Sequence, residues 1–333
     1  MVSIQFLCSS LERLGFINLQ RETGVSPRKR TWRDIFMFVQ YSLIIISFTA
    51  HLLSTITRSI RHSAEFVQTL FEDCFSSISL FSVNYLRVHY AQLESLLIFM
   101  ENSFSKADRK IIARCENQCR FLLIVILAGG GCPYFGALLE SLLPLSDKEL
   151  EIRRFVYRTK YPERRHPYNV HYPFIDESTS WAFQIVLVHQ TYVCVLVLCI
   201  ISSIISIMPF LLLNLRAQYE ILAKYIVKIG VKHRDSYENE IFYTNIMKDE
   251  FHISIMATNN KAKKRKIKLD KTALIKKQQE YERNYLKQII QFHHNLLIFN
   301  EKVCISLKYL TPDKFVYPLC SQNCVLMFSK ILP

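Results

Sequence analysis

The side chains of this chain that could do chemistry are histidines, cysteines, a glycine run and one pair of acids. His166 and His171 are separated by four residues, so they do not form the helix-face pair that a metal needs. His293 and His294 are adjacent and point in different directions on a helix. Cys115 with Cys119, and Cys320 with Cys324, each read C-x3-C, but a four-thiolate zinc site needs both pairs to meet, and nothing in the sequence brings them together. The ten cysteines are scattered, with none in the 144–177 loop, and read as reduced thiols without a disulfide framework. Gly129-Gly130-Gly131-Cys132-Pro133 lacks the Gly-Lys-Ser/Thr end of a phosphate loop and lies in an apolar run, where glycine means close helix packing. The adjacent acids Glu72 and Asp73 belong to no paired catalytic carboxylate pattern, and H-E-x-x-H and G-x-S-x-G are also absent. The reading is therefore of a protein that is not an enzyme, with no metal and no cofactor.

The elements that carry these residues are long and apolar. Of 333 residues, 50% are apolar and only 21% charged, with 23 Phe, 17 Tyr and a mean hydropathy of +0.13. This excludes a disordered chain. Three runs free of Asp, Glu, Lys and Arg then separate a membrane protein from a soluble helical core. Ile35 to Thr57 has 23 residues, Phe121 to Leu139 has 19, and Ser178 to Leu215 has 38. A helix rises about 1.5 Å per residue against a hydrocarbon core of about 30 Å, so each run is long enough to cross. A soluble helix needs one face for water and has no use for such runs. A fourth span, 66–86, contains Glu72 and Asp73. Acids at membrane depth cost at least ~2.5 kcal/mol each, so these must lie near an interface, be protonated, or face polar protein.

The fold expected is all-α: a multi-pass bundle with spans at about 35–57, 66–86, 121–143 and 181–213. A cytoplasmic helical and basic region would follow over 216–333. The segments assigned to the N-terminal side hold 33 Lys and Arg, against 9 on the other side, so the positive-inside rule places the N-terminus in the cytoplasm. The 144–177 loop, with Arg153, Arg154, Arg164 and Arg165, runs against that bias. The chain opens without the basic n-region of a secretory signal, and Ile4, Leu7, Leu11, Leu14 and Phe16 suit an amphipathic helix on the cytoplasmic membrane face. No N-x-S/T sequon occurs. Lys261 to Lys277 carries nine basic residues against one acid. Beside four spans it reads as a solvated cytoplasmic loop, with attraction to anionic lipid as the alternative and no nucleic acid as partner. Pro209 removes a backbone hydrogen bond near the end of the fourth span and is expected to kink it.

Local sequence adds a resemblance. His89-Tyr90-x-x-Leu93-x-x-Leu96-Leu97-x-x-Met100 follows the second span as an amphipathic helix. Tyr172-Pro173-Phe174-x-Asp176 closes the outside loop, with Gln190 beyond it. Asn214-Leu215-Arg216-Ala217-Gln218-Tyr219-Glu220-Ile221-Leu222 follows the fourth span, and Leu286-Lys287, Ile290, His293, Leu296-Leu297 and Phe299 come later. This ordered set, over roughly residues 1 to 303, resembles the insect odorant receptor family of seven-span proteins with a cytoplasmic N-terminus. Asn214 departs from the His often found there, and the charged insert 261–277 is unusual for that loop. After Phe299 the family continues into three more spans, the last lining an ion pore. Here 34 residues remain, and the best run, Phe315 to Ser329, contains Pro318, Gln322 and Asn323. The expectation is four spans of seven, a receptor truncated at its C-terminal end.

The resemblance implies an odorant-gated cation channel subunit that binds small hydrophobic volatiles and associates with a shared co-receptor in the plasma membrane. It implies a pocket in the outer half of the bundle, among the second, third, fourth and sixth spans. The candidates to line it are Phe81 and Tyr85 on the second span, Tyr134, Phe135 and Leu138 on the third, and Tyr192 on the fourth. Each of these could equally be packing helix against helix. Tyr134 and Phe135 stand out because they follow Pro133 and the three glycines, where the third helix is expected to be irregular. The helix beyond Arg216 resembles the family's cytoplasmic anchor, through which subunits associate. Other readings are a non-functional fragment, a gustatory receptor, or a transporter, which would show intramembrane charges and broken repeated spans.

Overall fold

A computed structural model of the chain describes residues 2–14, 27–61, 63–173, 175–234, 237, 239–254 and 271–308. Phe174, residues 261–270 of the basic stretch, and everything from 309 onward, including Phe315 to Ser329, Cys320 and Cys324, lie outside the described residues. The elements in order are α1 (Val2–Arg13), α2 (Pro27–Thr57), a 3-10 turn (Ser59–Arg61), α3 (Ser63–Val88), α4 (Tyr90–Ser103), α5 (Arg109–Leu142), α6 (Asp147–Phe155), α7 (Ser180–Ile226), β1 (Glu240–Asn245), β2 (Glu250–Ser254) and α8 (Lys271–Lys308). The expected helical architecture is therefore present. Among the described residues three helices are long and apolar enough to cross a membrane, those over Thr31–Arg61, Arg109–Leu142 and Ser180–Ile226; α3, which carries the expected 66–86 span, is not one of them. At 47 residues α7 is about 70 Å long, which exceeds the bilayer core by enough to carry the chain well past it.

Neither internal proline ends its helix. α5 is continuous through Gly129 to Pro133, and α7 is continuous through Pro209. The physical reason is that a proline inside a long apolar helix loses one backbone bond while its neighbours keep theirs. Gly130 does have a packing role. A Cβ added there would come 2.6 Å from Leu198 Cδ1, so the missing side chain is what lets α5 and α7 approach.

The chain divides into two compact units. One comprises residues 2–90 and 120–209. In it α1 buries Ile4, Leu7, Cys8 and Leu11, the spacing of a single apolar stripe. α2 and α3 form a hairpin through the 3-10 turn. α6 starts in a capping box: the Ser146 hydroxyl accepts from Glu149 N, and the Glu149 side chain accepts from Ser146 N. The loop after α6 folds back on the helices, where His171 N donates to Ala50 O (3.0 Å) and Ala50, Val170 and Val186 form a small core with Tyr172 against it.

The other unit comprises residues 91–119 and 210–333, described as far as 308. Its core takes Leu96, Met100 and Phe104 from the α4 segment, Phe210, Leu211, Ile221 and Leu222 from α7, and Phe292, Leu296 and Phe299 from α8. The Gln218 amide locks onto Ser105 in both directions, accepting from its N–H (2.7 Å) and donating to its carbonyl (3.1 Å). α7 ends where Gly230 adopts φ +75°, a left-handed conformation that stops the helix. The antiparallel hairpin β1–β2 that follows was not anticipated from the sequence. It closes an aromatic cluster of Tyr225, His233, Tyr243, Tyr281 and Tyr285, in which the Tyr285 hydroxyl donates to Tyr225 O (2.9 Å).

Candidate ligand-binding region

The six candidate residues all fall in the first unit, on α3, α5 and α7, and the structure does not give them one common role. Phe81 and Tyr85 lie one turn apart on α3 with ring centroids 6.3 Å apart, and Tyr85 continues onto His89 at 4.3 Å. Tyr134 and Phe135 are 5.7 Å apart, yet Tyr134 is 6% exposed and Phe135 60% exposed, because adjacent helical residues point in different directions. Phe81 is likewise mostly exposed, and Leu138 is half-buried. Tyr192 is 43% exposed, and its hydroxyl donates to the buried Gln40 Oε1 on α2 at 2.7 Å.

Tyr134 is the most informative of the six. Its ring is buried and its hydroxyl has no hydrogen-bond partner among the described residues. A buried hydroxyl without a partner costs about 1–3 kcal/mol, so its position is energetically open to any group that could accept from it.

Sequence reasoning missed the residue that this part of the unit gathers around. Tyr168, in the loop between α6 and α7, is anchored at its backbone, where its N–H donates to Gln190 Oε1 (3.4 Å) and its carbonyl accepts from Gln190 Nε2 (2.9 Å). Its phenol bonds the Cys194 thiol and lies in the field of Glu72 and Tyr134; burial is the main cause that pushes its ionisation up. The Gln190 side chain of α7 thus holds one loop tyrosine. Gln190 was visible in the sequence, but a loop residue that folds back across three helices leaves no periodicity to find it by.

Glu72 and Asp73 face polar protein, one of the three options left by the sequence. His51 of α2 lies between them, with Nδ1 2.7 Å from Asp73 Oδ1 and Nε2 2.9 Å from Glu72 Oε2. Gln68 Nε2 donates to the other Glu72 oxygen (3.0 Å).

The loop itself is pinned by charge. Arg58 pairs with Glu177, donates to Val170 O (3.2 Å), and lies over the Tyr157 ring at 5.7 Å. Glu65 of α3 accepts from both Tyr157 and Asn169. Arg165 pairs with Glu140 and Glu149. Arg153 and Arg164 donate to the carbonyls of Arg164 and Ser178, so three of the loop's arginines are engaged locally. His166 is buried against Phe183 at 4.6 Å, with Nε2 on Glu177 O (3.2 Å). Burial holds its pKa below the usual histidine value. No group of three or more His, Cys, Asp or Glu that could hold a metal occurs among the described residues.

A family profile described as 7tm odorant receptor matches residues 59–322. The chain belongs to this odorant receptor family. It is a multi-pass membrane protein of helical architecture, in a family of olfactory receptors rather than enzymes. Among solved structures, the insect olfactory receptor OR5 from Machilis hrabei is 13% identical; the match covers 98% of this chain and 78% of that one at a TM-score of 0.45. The same receptor in complex with eugenol is 12% identical over the same shares, at a TM-score of 0.48. No curated protein matches the chain.

Proposed function

We propose that this odorant receptor family member is the ligand-binding subunit of an odorant-gated cation channel. It works in the plasma membrane with its N-terminus in the cytoplasm, in association with the family's shared co-receptor. The observation that carries this reading is the family match over residues 59–322. The arrangement around Tyr168 supports the ligand's place: Gln190 of α7 holds this loop residue on the side of the bundle that contains residues 144–177. The cytoplasmic N-terminus rests on the bias of basic residues toward that side.

A small apolar volatile gains affinity by burying hydrocarbon against aromatic rings, at about 25 cal/mol per Å². Tyr134 offers it one hydroxyl donor that the protein does not use. Opening a channel requires that the ligand bind one conformation better than another. A ligand held between loop and helices meets that requirement, because it touches elements that can separate.

The test is equilibrium binding of a panel of small volatiles to the purified chain in lipid nanodiscs, with co-purification of the tagged co-receptor from the same membranes. Saturable binding that is weakened in Tyr134→Phe for ligands with a hydrogen-bond acceptor, together with co-purification, is expected. No saturable binding by any volatile to folded protein overturns the reading.

A further inference from the structure

Charge balance inside the first unit points to a ligand class. The His51, Glu72 and Asp73 cluster brings two carboxylates and one imidazole together between α2 and α3. Both ring nitrogens face carboxylate oxygens, and only the doubly protonated ring has two N–H donors to give them. With both carboxylates ionised, a doubly protonated ring leaves the cluster with one positive charge against two negative ones.

Four arginines of the same unit are occupied. Arg58 is taken by Glu177 and Val170 O, and Arg165 by Glu140 and Glu149. Arg153 donates to Arg164 O, and Arg164 donates to Ser178 O and Ser180 Oγ. Within the cluster, Glu72 has both oxygens engaged, by His51 and Gln68. Asp73 has one. Its side chain is 6% exposed, Oδ1 faces His51, and Oδ2 is buried with no partner among the described residues. An isolated buried carboxylate oxygen is among the costlier things a membrane protein can keep, and acids within spans usually face a partner. Asp73 Oδ2 is therefore the one carboxylate oxygen of the cluster without a partner among the described residues. Aromatic side chains are at hand on the neighbouring elements: Tyr168 lies in the field of Glu72, and of Tyr134 as well. Aromatic faces suit the hydrocarbon and the positive end of an organic cation alike.

We propose that Asp73, supported by Glu72 and His51, is the recognition point for a small organic ammonium ligand, whose N–H donates to Asp73 Oδ2 while its hydrocarbon lies against the aromatic side chains. The proposal rests on the reading of the chain as an odorant receptor and narrows its ligands to amines. An alkylamine is already an ammonium at neutral pH, so no proton has to move for the pair to form. An alcohol of the same shape can fill the same space but leaves the charge uncompensated. Discrimination comes from one ion pair in a site of low dielectric, where a charge-assisted hydrogen bond is worth more than at the surface.

The experiment titrates the full chain in lipid nanodiscs with n-butylammonium chloride, with 1-butanol as the uncharged isostere, and with sodium chloride alone. Butylammonium is expected to bind at least about tenfold more tightly than butanol. Asp73→Asn is expected to bring the two affinities together. Where Asp73→Asn does not fold, Glu72→Gln provides the same reading, since removing either carboxylate balances the cluster's charge. Equal affinities in the unsubstituted protein, or a preference that survives both substitutions, overturn the amine site and leave odorant binding standing. Sodium displacing butylammonium at equal concentration assigns the position to an inorganic cation and overturns the proposal. Binding of neither organic probe, nor of any other volatile, to folded protein overturns the receptor reading and this one with it.

Discussion

Replacing Arg58 with Met removes the cation that holds the loop between α6 and α7 to the helix hairpin. The Glu177 side chain is 6% exposed and that of Arg58 15%, so the pair is largely dry. Cutting a buried pair on one side leaves an uncompensated charge and costs about 3–5 kcal/mol. The lower end applies here, because Arg58 retains some contact with water. The same substitution releases Val170 O and the contact with the Tyr157 ring. At 1.4 kcal/mol per factor of ten, loop opening becomes at least about a hundredfold more frequent. Hydrogen exchange in nanodiscs reads this at the His171 amide, which donates to Ala50 O only while the loop is closed. The double substitution Arg58→Met with Glu177→Gln is expected to recover most of the protection, because it removes both charges together. If Arg58→Met changes exchange by less than about fivefold, or the double substitution is the sum of the two singles, the ion pair does not hold the loop.

Four further outcomes follow from other contacts. Acidification is expected to loosen the same loop. Burial depresses the His166 pKa, so its contribution is fully present above the unfolded value of about 6.5 and is lost as pH falls through the folded one; the rise in exchange should therefore begin near pH 6.5, and His166→Phe should remove it. Gly130→Val is expected to cost ~1–3 kcal/mol in thermal stability through collision with Leu198, and Leu198→Ala should relieve it; an unchanged melting temperature refutes the close approach. Tyr134→Phe should leave stability unchanged or slightly raised, since the lost hydroxyl has no partner, whereas Tyr192→Phe should lower it by ~1 kcal/mol through loss of the Gln40 bond. Epitope tags at the N-terminus and within 261–277 are expected to stain only after permeabilisation, and staining of either in intact cells refutes the topology.

The sequence by itself determined the helical, membrane-spanning class, because burial in lipid demands long uncharged runs and nothing else in a protein does. Ile35 to Thr57 lies within α2, and Phe121 to Leu139 lies within α5. The helix of α4, with Tyr90, Leu93, Leu96 and Met100 buried, was equally legible from its spacing. The sequence also marked Glu72 and Asp73 as needing an explanation, by their cost at membrane depth. It could not say which explanation held, since the partner, His51, is on another helix and no local spacing connects them. For the same reason Tyr168 and the Arg58–Glu177 pair were invisible: they join residues whose meeting is decided by how a loop folds back. The β1–β2 hairpin depends on the α8 aromatics that pack against it, such as Tyr281 on Phe242, beyond what its short strands specify alone. Only tertiary structure separated Tyr134 from Phe135, neighbours of the same kind in the chain. A helix turns by about 100° per residue, and that rotation buries one ring and exposes the other.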